Sequence, residues 1–286
     1  MIREKQSFTL VEILVVIVII GILSSFIFFT INDSVDKASI AKSKMFSESI
    51  RNNLLLNLVS EWKLDGDATD SWGSNNGTMN NFPASPWKTE AECISGTCLE
   101  FDGVDDYIDC GDSVSFDFGI GDFSLSAWIK TNTTGYIINK RRAVDTSAIY
   151  MIVSENNIKG AIGDGVSFIK STADGYSIVD NNWHYCVVVF DRSGNMTRYV
   201  DSEIYGTVSD ISTVGNLQTG YNLSMGCMLT QGYYYDGVID EVQIYNAAIS
   251  ESEIKQNYLS GLNNLYAKGL ISDIEYNERI NEIAKK

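Results

Sequence analysis

Between Ile13 and Asn32 the chain runs for twenty residues without a charged side chain, and Glu12 stands immediately before that run. At about 1.5 Å of rise per residue, a helix of that length spans roughly 30 Å, the thickness of a bilayer's hydrocarbon core. The preceding residues, Met1 to Ser7, include Arg3 and Lys5, whose charge holds such an end in the cytoplasm. A secretory signal has a shorter apolar run closed by a small-residue cleavage site, whereas this one continues through Phe26, Ile27, Phe28 and Phe29. A plain anchor leaves Glu12 unexplained, because an unpaired charge taken deep into an apolar span costs about 2.5 kcal/mol or more. Glu12 therefore requires a partner.

The run Ser7-Phe8-Thr9-Leu10-Val11-Glu12, leading into this helix, resembles the class III signal of type IV pilins and pseudopilins. The resemblance implies that prepilin peptidase cuts between Ser7 and Phe8 and methylates Phe8. It also implies that Glu12 pairs with the terminal amine of a neighbouring subunit during assembly. Two positions depart from the family: Ser7 stands where glycine is usual, and Phe29 where many pilins carry a helix-kinking proline. Beyond the apolar run, Asp33 to Asn57 contain no Pro or Gly, and Val35, Ile40, Met45, Phe46, Ile50, Leu54 and Leu58 fall at helical spacing. This predicts an amphipathic stalk, packed against copies of itself or against its own globular domain. The expected division is a leader at 1–7, a transmembrane and stalk helix at 8–58, a globular domain at 61–248 and C-terminal helices at 249–286.

A net charge of −16, from 21 basic and 37 acidic residues, argues against nucleic acid as a partner, since phosphate binding needs a concentrated basic patch. All five cysteines, at 93, 98, 110, 186 and 227, follow the apolar helix, in the part that would be exported to an oxidising compartment. Cys93 and Cys98 enclose the short loop Ile94-Ser95-Gly96-Thr97, which predicts a local disulfide. An odd count leaves at least one thiol free or paired between chains. A single histidine and the lack of any CxxC pair argue against a zinc cluster.

From Glu61 to Tyr245 short alternating apolar segments are separated by turn signals such as Asp102-Gly103, Asp164-Gly165, Ser193-Gly194 and Asp236-Gly237. Many short strands without intervening helical periodicity predict a mainly β fold, a β-sandwich. The ordered runs Leu99 to Ile108, Phe123 to Ile129, Trp183-His184, Phe190-Asp191, Tyr199 to Asp201 and Gly237 to Tyr245 resemble the laminin G-like, concanavalin A-type jelly roll. That resemblance implies two antiparallel sheets, often a structural calcium ion, and in many members a carbohydrate or protein ligand. It suggests that Asp70, with nearby carbonyls, meets Asp240 on the last strand to hold calcium. A solvated turn is the alternative, because Asp65, Asp67, Asp70, Ser71, Asn75 and Asn76 crowd one loop. Counted from Asp65, that loop has Asp70 and Asn76 where an EF-hand needs glycine and glutamate.

Catalysis is not expected. Glycoside hydrolysis needs two carboxylates on one face, and neighbours such as Asp240 and Glu241 diverge on a regular strand. His184, in a strand beside Trp183, reads as a packed residue. Trp72, Trp87, Tyr136, Tyr176 and Tyr233 to Tyr235 are candidate ligand-stacking residues. Alternation predicts that Tyr233 and Tyr235 share one face and Tyr234 takes the other, while Trp128 and Trp183 belong to the core. Ser250 with Glu253, and Ser272 with Glu275, form capping-box patterns. They predict a short helix at 249–254 and two further short helices after Leu262, covering a sandwich edge or touching the stalk. The composite expectation is a pilin-like subunit with a lectin-like head, whose partners are sister pilins, prepilin peptidase, an assembly platform and a carbohydrate or protein ligand. A secretion pseudopilin and a tethered surface lectin are the alternatives.

Overall fold

The computed structural model describes residues 54–142 and 145–284. Ser7, Phe8 and Glu12, the leader and the apolar helix lie outside the described residues. The chain divides into two compact units, Met1–Asn52 and Asn53–Lys286, and every described residue belongs to the second. Among the described residues no helix is long and apolar enough to cross a membrane.

The strands are β1 (Leu58–Trp62), β2 (Thr78–Asn80), β3 (Trp87–Lys88), β4 (Cys98–Asp102), β5 (Tyr107–Asp109), β6 (Phe123–Thr131), β7 (Gly135–Arg141) and β8 (Ser147–Ser154). They continue with β9 (Asn157–Asp164), β10 (Phe168–Lys170), β11 (Trp183–Phe190), β12 (Asn195–Val200), β13 (Glu203–Ile204), β14 (Ser209–Asp210), β15 (Ser224–Met225) and β16 (Asp236–Tyr245). One sheet runs β13-β12-β11-β6-β16-β4-β3, with β1 added on β16 and β14 on β12; the other runs β10-β9-β8-β7-β15-β5-β2. Each strand pair is antiparallel, as a jelly-roll sandwich requires. Between the sheets lies the main core, which includes Trp62, Phe101, Phe123, Ile149, Met151, Val188, Phe190 and Ile239. Phe123 stacks on both Phe118 and Phe190, with centroids 4.2 Å apart in each pair.

β1 starts at Leu58, earlier than the sequence boundary at 61: Leu58 pairs with Tyr245 and packs under the helices, and after a register slip before Ser60 the strand runs on to Trp62 in the core between the sheets. β16 is paired on both edges: with β6 on one side, and on the other with β4 through residues 236–239 and with β1 through residues 242–245. Between Asp240 and Gln243 the register slips, and Glu241 adopts a left-handed φ of 49°. This is a β-bulge, which re-aims side chains that regular alternation would send apart.

The outer face of the β6/β11 sheet is apolar, carrying Trp128, Trp183, Tyr185, Val187, Val189 and Tyr245. Two helices cover it, α1 (Glu251–Ala267) and α2 (Asp273–Ala284). Ile254, Tyr258, Leu262 and Leu265 of α1 are buried there, with Tyr276 and Ile280 of α2 packed beside them. Sequence patterning located the caps: Ser250 accepts from the Glu253 N–H in a full capping box, and Ser272 Oγ accepts from the Glu275 N–H at 3.2 Å. It misjudged the helices themselves. The expected short helix and the segment around Leu265 form one seventeen-residue helix that ends before Gly269, whose φ is 70°. The hairpin covers a sheet face rather than an edge, since its apolar stripe answers the row of aromatics on β6 and β11.

Cys93 and Cys98 form a disulfide, while Cys110, Cys186 and Cys227 are buried free thiols. Burial pushes the Cys227 thiol up to about 12, so it is neutral and inert at physiological pH. His184, also buried, is held between two carboxylates: Nδ1 is 2.7 Å from Asp201 Oδ2 and Nε2 is 3.3 Å from Asp180 Oδ1. Its role is a structural clamp on the β11/β12 corner, as Asp201 also accepts the Tyr185 N–H at 2.9 Å.

Two outcomes follow for stability, which tryptophan fluorescence reads for the head alone, since all five tryptophans lie between Trp62 and Trp183. Gly261 packs so tightly on the Trp128 indole that an added Cβ would overlap the ring. Gly261→Ala should therefore destabilise by about 1–3 kcal/mol through overpacking, against the gain of about 1 kcal/mol that helix propensity alone would give. A urea midpoint equal to or above wild type refutes that packing. For His184, burial disfavours the imidazolium, but Asp201 and Asp180 outweigh it and raise the pKa. Its contribution is present below the ordinary value near 6.5 and is lost as pH rises through the folded value. Full-length protein should unfold at lower urea at pH 8.5 than at pH 6, and His184→Gln should shrink that difference.

Candidate functional site

Among the described residues no helix lies over the outer face of the other sheet. On β8 the residues turned away from the core are Ala148, Tyr150 and Ile152, and these meet Tyr136 of β7, Ala161 of β9 and Phe168 of β10 in a separate cluster. Small alanines between large rings leave a depression. A cleft of about 570 Å³ results, lined by Tyr136, Arg141, Tyr150, Ile152, Lys159, Lys170, Tyr233 and Tyr234 together with Gly103, Thr134, Gly135, Val153 and Ser154. Its volume lies in the range of small-ligand sites.

Tyr136 and Tyr150 form the floor at 5% and 3% exposure, their rings 5.3 Å apart and edge-to-face. Tyr233 forms the rim at 61% exposure, its ring 6.4 Å from that of Tyr136. The expected sharing of one face by Tyr233 and Tyr235 is corrected. Residues 233–235 are not in a strand, and Tyr233 has a left-handed φ of 54°, which abolishes the two-residue alternation. Tyr233 and Tyr234 both reach the cleft, while Tyr235 is fully buried against Phe101. Of the other sequence candidates, Trp72 and Tyr176 are exposed elsewhere and Trp87 packs on the core. Tyr150 was missed, although the alternation of Ala148, Tyr150 and Ile152 with Ile149, Met151 and Val153 carries the signal.

Arg141 is the polar centre of the cleft. Its guanidinium carbon lies 4.7 Å from the Phe168 ring centroid and 5.8 Å from that of Tyr150. Its Nε donates to the Asp145 carbonyl at 3.1 Å. Lys159, buried along its stem, places Nζ 3.0 Å from Glu155 Oε2, and Lys170 stands exposed at the end of β10. Burial pushes both floor tyrosines above the ordinary phenol pKa, so they remain neutral donors.

The two carboxylates expected to meet at a calcium ion, Asp70 and Asp240, share no hydrogen-bond donor. Asp70 accepts the N–H groups of Glu61, Trp72 and Gly73 on Oδ1 and of Asn75 on Oδ2. Burial alone would raise its pKa, but these donors lower it. Three donors on Oδ1 and one on Oδ2 fix Asp70 as a loop clamp, with one lone-pair position left on Oδ2. Asp240 is different. It is fully buried, its Oδ2 accepts from Ile94 N and Ser95 N at 2.8 and 3.2 Å, and its Oδ1 has no partner. The bulge takes Glu241 out of regular alternation beside Asp240. Burial, then the Glu241 charge, pushes Asp240 up to about 9; burial, then Glu61, pushes Glu241 up to about 7. One free oxygen on Asp240 fits a single calcium ligand.

Asp102, Asp105 and Asp106 have carboxylate oxygens within 4.8 Å of one another, the one such group of three among the described residues. Asp102 Oδ1 takes the N–H groups of Val104 and Asp105, and Asp106 Oδ2 takes that of Asp102, which closes the β4–β5 turn.

Several solved structures share this architecture at low sequence identity. The binding domain of Paraclostridial Mosquitocidal Protein 1 superposes with a TM-score of 0.58 at 17% identity, over 73% of this chain and 53% of that one. The binding domain of botulinum neurotoxin serotype D gives 0.57 at 15%, over 74% and 53%. The chain thus spans about half the length of these toxin domains. Domain 4 of an extracellular arabinanase from Geobacillus stearothermophilus, solved with arabinotriose, gives 0.57 at 17% identity, over 70% of this chain and 97% of that domain. Among curated proteins none matches the chain. The prokaryotic N-terminal methylation motif, the signal of type IV pilins, matches residues 2–28. Residues 102–255, more than half of the chain, match the laminin G-type family model, and the chain belongs to the concanavalin A-like lectin/glucanases superfamily.

Proposed function

We propose that the chain is a type IV pilin-like subunit displaying a lectin-like head for adhesion or ligand recognition. The observation that carries this reading is the joining, in one chain, of the methylation motif at 2–28 to a sandwich with an uncovered aromatic cleft. Prepilin peptidase cuts between Ser7 and Phe8 and methylates Phe8. Until assembly the apolar helix anchors the subunit in the cytoplasmic membrane. An assembly platform then moves it into a filament, where Glu12 pairs with the terminal amine of a sister subunit and neighbouring helices replace lipid. The head is carried outside the cell, and its cleft takes a carbohydrate or protein ligand. The arabinotriose complex of a domain with the same fold supports a saccharide-binding use of such a sandwich. Binding without transformation of the ligand is part of this reading, which the lack of Asp and Glu among the described lining residues supports, since glycoside hydrolysis uses two carboxylates. A calcium ion, bound through Asp240, is part of this reading and would supply charge to the buried end of β16.

Intact mass of protein recovered from sheared surface filaments should be short by Met1 to Ser7 and carry one methyl group on Phe8. Glu12→Ala should abolish incorporation into filaments while the chain remains in the membrane. Uncut chain confined to membranes would leave a tethered binding protein, and head epitope confined to the periplasm would indicate a secretion pseudopilin. For calcium, the sign follows from the raised Asp240 pKa. Stability present below the ordinary value of 3.8 declines as pH rises to about 9. Without calcium, Asp240→Asn should melt higher than wild type at pH 8.5. Millimolar calcium should raise the wild-type midpoint and leave Asp240→Asn unmoved; an unmoved wild type would remove calcium from the account.

A further inference from the structure

The cleft carries a charge opposite to that of the protein. The chain is acidic, with 21 basic residues against 37 acidic ones, yet Arg141, Lys159 and Lys170 converge on one face with no carboxylate in the lining. These cations come from three strands, β7, β9 and β10, and antiparallel pairing brings them to the same outer surface. We propose that the cleft recognises an acidic saccharide, a sugar ring bearing a carboxylate or sulfate group. The inference rests on the head being a binding module and names the ligand class of its cleft.

Each part of such a ligand meets a matching group. A pyranose ring presents C–H faces that stack on phenol rings, and Tyr233 and Tyr234 offer those at the rim over the Tyr136 and Tyr150 floor. Sugar hydroxyls meet tyrosine hydroxyls kept protonated by burial. The anionic group meets Arg141, whose planar fork matches two carboxylate oxygens at once. Arg141 is already fixed by the Phe168 and Tyr150 rings and by the Asp145 carbonyl, so little side-chain freedom is lost on binding. Lys159 holds a partner in Glu155, but that carboxylate is 66% exposed and free to swing into solvent when a ligand anion replaces it.

The same numbers argue against other anions. Three cations on a chain of net charge −16 suit one or two negative groups, whereas an extended nucleic acid would be repelled by the remaining surface. An acidic peptide would not use the stacking rings so fully.

The test uses the full chain in detergent micelles on an array of matched oligosaccharides. Oligogalacturonates stand beside their methyl esters, sialylated glycans beside the asialo forms, and sulfated glycans beside desulfated ones. Wild type should bind at least one acidic member at least tenfold more tightly than its neutral counterpart, and added salt should narrow the ratio. Preference confined to the carboxylate pairs or to the sulfate pair identifies which acidic group is read, and both support the proposal. Arg141→Gln should remove the preference. Lys170→Gln, at an exposed position that folding does not depend on, should reduce it several-fold, while Lys88→Gln, a lysine paired with Glu100 outside the cleft, should not. Equal binding of acidic and neutral members overturns the proposal and leaves a neutral-saccharide head. Binding of no saccharide overturns both the proposal and the saccharide reading of the head.

Discussion

The pairing of β16 on both edges is the constraint on which the head depends. The strand contributes Ile239, Val242 and Ile244 to the core between the sheets, and Val238 and Tyr245 to the surface under the helices. It pairs with β6 on one edge and shares the other between β4 and β1, so early, middle and late segments of the chain meet on it. Its one irregularity, the bulge at Glu241, lies where the disulfide loop offers the Ile94 and Ser95 amides to Asp240. A buried carboxylate held by two N–H groups retains much of the cost of desolvation, which is why its pKa is raised rather than lowered.

A two-sheet sandwich has two outer faces, and this one treats them oppositely. The face built on β6 and β11 carries Trp128, Trp183 and Tyr185, and burying it requires the α1–α2 hairpin. The face built on β7 to β10 is floored by Ala148 and Ala161 between Tyr136, Tyr150 and Phe168, with cations at its margin. The exposed Lys170 and the stacked Arg141 guanidinium give that surface its polar contact with water. The asymmetry locates the cleft, which lies on the face that α1 and α2 leave open.

Much of this was legible in the sequence, for physical reasons that differ by element. The strands around Trp128 and Trp183 announce themselves as aromatic and β-branched runs, buried nearly throughout because both faces of their sheet are covered, and the caps at Ser250 and Ser272 because orphan amides select hydroxyl and carboxylate partners. The continuity of α1 was hidden because the helix to Ile254 and the apolar pattern from Leu262 read as separate segments; Gly261 lies at their junction, where close contact with Trp128 selects it. Tyr233 and Glu241 were misplaced for one reason: each adopts a positive φ that reverses alternation locally, and nothing in residue type marks a tyrosine or glutamate for that conformation. The cleft was illegible as a whole, because Tyr136, Arg141, Lys159, Lys170 and Tyr233 become neighbours only through the pairing of strands.

The ladder between β1 and β16 also has a mechanical meaning. Covalent connectivity makes β1 the segment through which any tension from the N-terminal part of the chain enters the head. The pairing begins at Leu58 opposite Tyr245, reinforced by the Asn246 N–H on the Asn57 carbonyl, and ends at Trp62 opposite Val242. A pull from the Leu58 side strains those first contacts before it reaches Trp62, whose indole is fully buried and whose Nε1 donates to the Asn75 carbonyl at 3.0 Å. The ladder yields progressively from its leading edge, with a large aromatic plug as the last element to be withdrawn. The head is in that sense fastened on its N-terminal side by a graded catch.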